Sequence, residues 1–355
     1  MIESIRFDNV RGRTQVENRY ARQRLFKPIG EQGQQQLEQA TVTIIGCGAL
    51  GSAIAETLVR AGVGHLHLVD RDTVDYSNLQ RQQLFTERHA AETTPKVEAA
   101  RERLLEIRSD ARITVYLDHA DSMLMEQLAS KSDLIMDATD NFETRLLIND
   151  AARKHRRPWI YGACVGSSGV VFPFMPDAGA CLRCLLPVLP SLNETCDTVG
   201  VISPAVQYTV ALQCAEALKW LTGNAAAMLT KVCHFDLWQH AHMTIGVSRL
   251  HRPDCPTCGE APVYPELTMS ERTKTAVLCG RDTVQIVPDR RRRITLADAE
   301  KAGQAAGAGM RRTPYFIELH MQEGIRVMVF ENGRLLLHGI SDVHQGRKLY
   351  HQLFG

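Results

Sequence analysis

The 355-residue chain carries almost no net charge: 41 Lys and Arg stand against 40 Asp and Glu, leaving +1 at pH 7. So weak a field argues against nucleic acid as a main partner, which needs a basic face. No run of 18 or more apolar residues occurs, so no segment reads as a membrane span. The first residues, MIESIRFDNVRGRTQVENRY, mix acids with bases and are polar. They resemble neither a secretory signal nor an organellar presequence, and a cytoplasmic protein is expected. Internal repeats and low-complexity tracts are also missing. The ten cysteines do not suggest a disulfide scaffold in a chain of this size and context.

What is present suits a globular protein. Hydrophobic residues make up 44% of the chain, ample for a core, and the length fits one large domain and a smaller one. Residues 1–16 read as a flexible extension. Asn18 to Ala40 reads as one or two helices broken at Pro28-Ile29-Gly30. Strands at 41–46, 65–70, 112–117, 133–138 and 158–161 then alternate with helices near 51–61, 95–107, 122–130 and 142–155. Strict alternation predicts a parallel sheet covered on both faces. Strands at 169–176, 231–238 and 242–250 follow without short helices between them, an antiparallel extension of that sheet. Ser203-Pro204 opens a helix to about 221, apolar nearly all round and expected in the core.

Residues 17–260 therefore form one domain, and the polar stretch 261–275 reads as a linker. Residues 276–355 read as β-α-β-β-β-α, a small module with no evident role. Within it Asn332-Gly333 suits a type I′ hairpin turn, and Thr295 with Asp298 suits a helix start. Arg290 to Arg293 reads as a solvated basic turn. The expected fold class is α/β: a Rossmann-like doubly wound sheet, parallel in its N-terminal half with an antiparallel extension, plus a small C-terminal α+β domain.

Gly46-Cys47-Gly48-Ala49-Leu50-Gly51 lies between the apolar run TVTII and the amphipathic stretch from Ser52 to Ala61. Asp70 ends the next apolar run, 19 residues after Gly51. This βαβ context turns a weak glycine pattern into a nucleotide site. The glycines let backbone approach a phosphate, the helix N-terminus offers N–H groups to it, and Asp70 is placed to accept from ribose hydroxyls. NAD, FAD, S-adenosylmethionine and ATP all use relatives of this turn.

Two C-x-x-C pairs, Cys181/Cys184 and Cys255/Cys258, are separated by 70 residues. Together they supply the four thiolates of a closed tetrahedral zinc site, with a structural role because no coordination position stays open. Cys47, Cys164, Cys214 and Cys233 lie in apolar patterns and read as buried small hydrophobes. Asp140 follows the strand DLIMDATD, placed to face the same crevice as Gly46 and Asp70; a carboxylate beside phosphates suggests Mg²⁺. Asn78, Arg81 and Lys96 follow the second strand, and the two cations could neutralise a triphosphate.

These segments carry a resemblance. RYARQ (19–23), GCGALGS (46–52), LVDRDTVDYSNLQRQ (68–82), PKVEAAR (95–101), DATDNFETR (137–145), CLRC (181–184), TCDTVGVISP (195–204) and CPTCG (255–259) resemble, in order, the ThiF/MoeB family of sulfur-carrier-protein adenylyltransferases. These are relatives of ubiquitin-activating enzymes, and the match is closest to the thiamine-pathway ThiF type. The resemblance implies that Gly46, Gly48 and Gly51 contact ATP phosphates and that Asp70 holds the ribose. It implies that Asn78, Arg81 and Lys96 bind the triphosphate and Asp140 binds Mg²⁺. Arg22 would reach the partner subunit's ATP site in a homodimer. Cys181, Cys184, Cys255 and Cys258 would bind zinc. Cys196 matches a position that in some members forms a thiol-linked intermediate with the carrier and in others is dispensable.

The implied partners are a small ubiquitin-like carrier, ThiS- or MoaD-like, and a sulfur donor such as a cysteine desulfurase. The implied reaction is adenylylation of the carrier's C-terminal glycine carboxylate, serving thiamine or molybdopterin biosynthesis. Three other readings stand beside it: adenylation of another peptide's C-terminus, an NAD-dependent oxidoreductase on the same type of fold, and a non-catalytic module that holds a ubiquitin-like protein. The resemblance does not extend to residues 1–16 or 276–355, which are too short for a sulfur-delivering rhodanese domain. Cys279 sits at the start of the latter segment.

Overall fold

A computed structural model of the chain describes residues 19–177, 179–187, 199–268, 275–277, 283–288 and 294–355. The expectations for residues 1–16, Cys196, Cys279 and Arg290 to Arg293 lie outside the described residues. The chain divides into two compact units, residues 1–270 and 271–355.

The first unit is built on one eight-stranded sheet: β1 (Thr41–Ile45), β2 (His65–Val69), β3 (Arg112–Tyr116), β4 (Leu134–Asp137), β5 (Trp159–Val165), β6 (Ser168–Phe174), β7 (Lys231–Asp236) and β8 (Ala241–Gly246), in the order β3-β2-β1-β4-β5-β6-β7-β8. The first five strands are mutually parallel, and β6, β7 and β8 join antiparallel to their neighbours. The expected parallel half with an antiparallel extension is the observed sheet. Its longer helices are α1 (Gly30–Gln39), α2 (Ala49–Ala61), α3 (Lys96–Ile107), α4 (Ser122–Lys131), α5 (Phe142–Lys154) and α6 (Ser203–Leu221).

The side-chain period of two sorts each strand into two cores. Val42 and Ile44 of β1 pack with Ile54 and Leu58 of α2, Val97 and Leu104 of α3, and Val206, Val210 and Ala217 of α6. Ile45, Val69 and Ile135 pack on the other face with Met125 and Leu128 of α4 and Ile148 and Ala151 of α5. The near-continuous apolar runs of the strands follow from this burial on both faces. The chain's winding reverses between β1 and β4, and the carboxyl ends of strands at such a switch point are where open α/β sheets bind ligands.

The second unit is a six-stranded sheet of β9 (Thr275–Val277), β10 (Thr283–Ile286), β11 (Gly309–Arg312), β12 (Phe316–His320), β13 (Arg326–Phe330) and β14 (Leu335–His338), in the order β11-β12-β13-β14-β10-β9. Every pairing is antiparallel. Helices α7 (Leu296–Ala305) and α8 (Val343–Phe354) share its apolar core with Val284, Ile317, Val327 and Leu335.

Three expectations need correction. Strands β9 and β11 were not foreseen; GMRR in β11 is short, polar and largely exposed, so it has no apolar alternation to read. The hairpin at Asn332-Gly333 is not type I′. Gly333 alone has positive φ, +86°, with Gly333 N–H donating to Phe330 O and Phe330 N–H to Arg334 O. That is a type I turn closed by a glycine bulge. Cys233 is half-buried, whereas Cys47, Cys164 and Cys214 are buried as expected. Among the described residues no helix is long and apolar enough to cross a membrane.

Candidate nucleotide and metal sites

The glycine loop is fixed by close backbone packing. Gly46 follows β1 at φ +91°, and a Cβ there would lie 2.5 Å from Ala138 O at the end of β4. A Cβ on Gly51 would lie 1.9 Å from Gly46 O. Both positions exclude a side chain for reasons internal to the protein. Gly48 differs: a Cβ there would meet only Gln82 Nε2, at 3.8 Å. Space is kept open at Gly48, which is also the N-cap of α2 and makes no side-chain cap hydrogen bond. The first N–H groups of α2 thus face that space without a protein acceptor from the cap, an arrangement suited to an anion.

Asp70 is tied to this loop. One carboxylate oxygen accepts from Cys47 N–H at 2.6 Å and the other from Asp72 N–H at 2.7 Å. Burial pushes its carboxyl up, and the Lys96 ammonium opposes that. A carboxylate offers about four lone-pair sites, so two remain for hydroxyl donors. Lys96 starts α3, is buried, and reaches Asp72 with Nζ at 3.1 Å from Oδ2. Cys47 Sγ lies 3.9 Å from Lys96 O, which sets the lysine beside the loop. Burial pushes the Cys47 thiol up, so it behaves as packing rather than as a nucleophile.

Asn78 belongs to a helical turn at Tyr76–Asn78, where its Oδ1 accepts from Asp75 N–H at 3.2 Å. Its Nδ2 is buried without a protein partner. Arg81 is half-buried and donates from Nη1 to Ser77 O. Gln82, beside Gly48, has a buried Oε1 without a protein partner. Sequence reasoning did not single out Gln82. Its signal was only its place one residue after Arg81.

The structure divides the carboxylates of DATDNFETR into two kinds. Asp137, at the end of β4, is fully buried. Its Oδ2 accepts from Arg145 Nε at 3.1 Å, and its Oδ1 accepts from Thr139 N–H and Oγ1–H. Arg145 also donates to Thr139 O at 2.6 Å and stacks within 5.2 Å of the Tyr161 ring. This pair was missed because nothing in the spacing shows that Asp137 faces inward. Asp140 is exposed, and its carboxylate accepts from Asn141 Nδ2 at 3.2 Å. Asn141, not Asp140, caps α5, accepting from Thr144 N–H at 2.9 Å. Asp140 is thus free of the helix-capping role that would have explained it structurally.

Arg22 is exposed on the short helix Ala21–Arg24. The segment is anchored by buried Tyr20 and by Gln23, which donates to Gln34 Oε1 and Ala61 O. The guanidinium therefore projects from a fixed base.

The four cysteines of the two C-x-x-C pairs are all buried, with their sulfurs within 4.8 Å of one another. Cys181 Sγ is 3.7 Å from Cys255 Sγ, and Cys184 Sγ is 3.6 Å from Cys258 Sγ. Those distances are far beyond a disulfide bond of about 2.05 Å. They match the roughly 3.8 Å edge of a tetrahedron with 2.3 Å metal–sulfur bonds. The Cys181 thiol is pulled down, to about 5, chiefly by its hydrogen bond with Cys258, whose own thiol the same contact pushes up. A cation joining four sulfurs this close would bind them as thiolates.

Gln82, Asp70 and Lys96 thus stand beside the glycine loop and the N-terminus of the helix it opens. Such a set can hold a polyphosphate and neutralise charge on it. Comparisons with known proteins bear on what is held. The chain matches the ThiF family over residues 20–257. It is 45% identical to the sulfur carrier protein ThiS adenylyltransferase of Bacillus subtilis over 344 residues, 96% of this chain and 100% of that protein. A sulfur carrier protein adenylyltransferase of Thermus thermophilus is 34% identical over 257 residues, 70% of this chain and 93% of that protein. Among solved structures, E. coli MccB with ATP superposes with a TM-score of 0.59 at 22% identity, covering 68% of this chain and 74% of that one. That last likeness carries the fold alone.

Proposed function

This chain belongs to the ThiF family, and from that premise we propose that it adenylylates the C-terminal glycine carboxylate of a small sulfur carrier protein for thiamine biosynthesis. One observation carries the reading: the identity to the Bacillus subtilis ThiS adenylyltransferase runs through 96% of this chain and all of that protein. The C-terminal unit is therefore included in the match. The carrier's carboxylate oxygen attacks the α-phosphorus of ATP. The bond to the bridging oxygen breaks, and pyrophosphate leaves with its electron pair. The substrate carboxylate is already a nucleophile, so no side chain need supply one. The protein's work is positioning and charge neutralisation.

In this reading the glycine loop and the first N–H groups of α2 face the phosphates, and Asp70 accepts from the ribose hydroxyls. Lys96, Arg81 and Asn78 hold the triphosphate. Asp140 holds Mg²⁺, whose charge would offset that developing on the phosphoryl oxygens. Cys181, Cys184, Cys255 and Cys258 hold a structural Zn²⁺, consistent with buried sulfurs at tetrahedral spacing. The acyl-adenylate is then open to a persulfide from a sulfur donor such as a cysteine desulfurase. The deciding experiment is ATP–pyrophosphate exchange with carriers ending in Gly-Gly. Exchange should require the carrier and Mg²⁺. Carrier-independent exchange, or none with any such carrier, would overturn the reading. Cys196→Ala should keep that exchange and lose or markedly slow sulfur transfer, because forming the acyl-adenylate uses no protein thiol; loss of exchange in a folded variant would place Cys196 in the wrong step.

We further propose a two-fold homodimer in which Arg22 completes the partner's site. The exposed guanidinium on an anchored segment supports it. Arg22→Ala and Asp140→Ala should each be inactive alone. Mixed under conditions that exchange subunits, they should regain activity through heterodimers with one intact composite site. A mixture that stays inactive despite verified exchange rules out the shared site.

A further inference from the structure

Two adjacent residues of α5, Asn149 and Asp150, are polar, buried and unused by the chemistry above, with 1% and 0% of their surface exposed. Each holds one of the two cysteine pairs. Asn149 Oδ1 accepts from the N–H of Leu182, the residue after Cys181, at 2.9 Å. Asp150 accepts from Thr257 Oγ1–H at 2.5 Å and from Glu266 N–H at 2.9 Å. Thr257 lies inside the second C-x-x-C, next to Cys258. Arg183 lies inside the first, next to Cys184. Arg183 Nε donates to Thr257 Oγ1 at 3.2 Å, and Arg183 Nη2 reaches Glu266 at 3.0 Å and Asp150 at 3.7 Å. The interior residues of both pairs are therefore bonded to each other and to one buried carboxylate.

Apart from the approach of the Asn149 side chain to the Cys181 sulfur, none of these contacts involves a sulfur. The network joins the two pairs across 70 intervening residues and carries the loop-closure cost that a metal would otherwise have to meet. Resting on the reading of the four cysteines as a metal site, we propose that Asn149 and Asp150, with Thr257 and Arg183, are positioning residues that pre-form the four-sulfur cage. When one metal–sulfur bond breaks, the network keeps the released sulfur within reach of the metal, so rebinding outpaces escape. Groups that orient ligands from behind change metal affinity on the order of ten- to a hundredfold.

The test compares Thr257→Val, which removes the hydroxyl and keeps the shape, with Thr257→Ser, which keeps the hydroxyl. Zinc-loaded full-length protein is mixed with a chromogenic chelator and the release rate is followed, with far-UV circular dichroism as the fold control. Thr257→Val should release zinc at least about tenfold faster than wild type, and Thr257→Ser within about threefold of it. A valine variant that matches wild type, or a serine variant as fast as the valine one, overturns the proposal. Asn149→Ala, read the same way, serves if the valine variant does not fold. Wild type that retains no stoichiometric zinc would instead refute the metal reading. The cage is then read by thiol alkylation, where Thr257→Val should raise the rate about tenfold and an unchanged rate overturns the proposal.

Discussion

Asp140→Ala should remain folded and lose at least about a hundredfold in carrier-dependent ATP–pyrophosphate exchange, the scale of removing one electrostatic stabiliser. The two halves of this expectation have separate causes. The fold survives because Asp140 is exposed and α5 is capped by Asn141. Activity is lost because this carboxylate, three residues beyond the end of β4, is proposed to hold Mg²⁺. Asp137 provides the contrast. It is fully buried against Arg145 at 3.1 Å, so Asp137→Ala would leave a buried guanidinium unpaired and cost about 3–5 kcal/mol of stability. The two variants thus separate catalysis from folding within one short segment. Exchange by folded Asp140→Ala within about threefold of wild type would remove Asp140 from the reaction, since no electrostatic contribution of the usual size is that small.

Cys255→Ser should lose stoichiometric metal and melt at least roughly 7 °C lower. Structural zinc supplies apparent binding energies of about 10–16 kcal/mol in small peptides. Losing even a third of that, at about 2–4 °C per kcal/mol for a domain of this size, gives the stated shift. Serine nearly matches cysteine in volume but offers a hydroxyl that stays protonated where a thiolate would bind. Cys255 is 1% exposed, so a change of size alone would shift the melting temperature without touching metal content. Metal analysis under reducing conditions distinguishes the two. A variant with wild-type metal and melting temperature would refute the site.

The first unit was legible in the sequence because its signals are local. TVTII, then GCGALG, then an amphipathic stretch, then HLHLV with Asp70 at its end form a βαβ unit whose parts are read in order. The runs LIM and WIY are apolar on both faces because helices cover both faces of the sheet, and strict alternation gives parallel topology. The cysteine pairs were legible through spacing, since each C-x-x-C places two sulfurs on one turn. In the second unit β11 was missed because an exposed edge strand carries no period. The turn at Asn332-Gly333 was misassigned because the dipeptide fits two turn types, and the strand ends on either side choose between them.

The sequence by itself determined the order of elements in the first unit, the glycine loop with its acidic partner, and the pairing of the four cysteines. Those are set by backbone sterics, side-chain periodicity and short spacing, which act within a few residues. Only the tertiary structure decided that Asp137 is buried against Arg145 while Asp140 is exposed. Only it showed that Gln82 stands beside Gly48, and that Asn149 and Asp150 grip both cysteine pairs from one helix. Those contacts join residues up to 116 positions apart, and which of two similar carboxylates meets water depends on what packs against it from elsewhere in the chain.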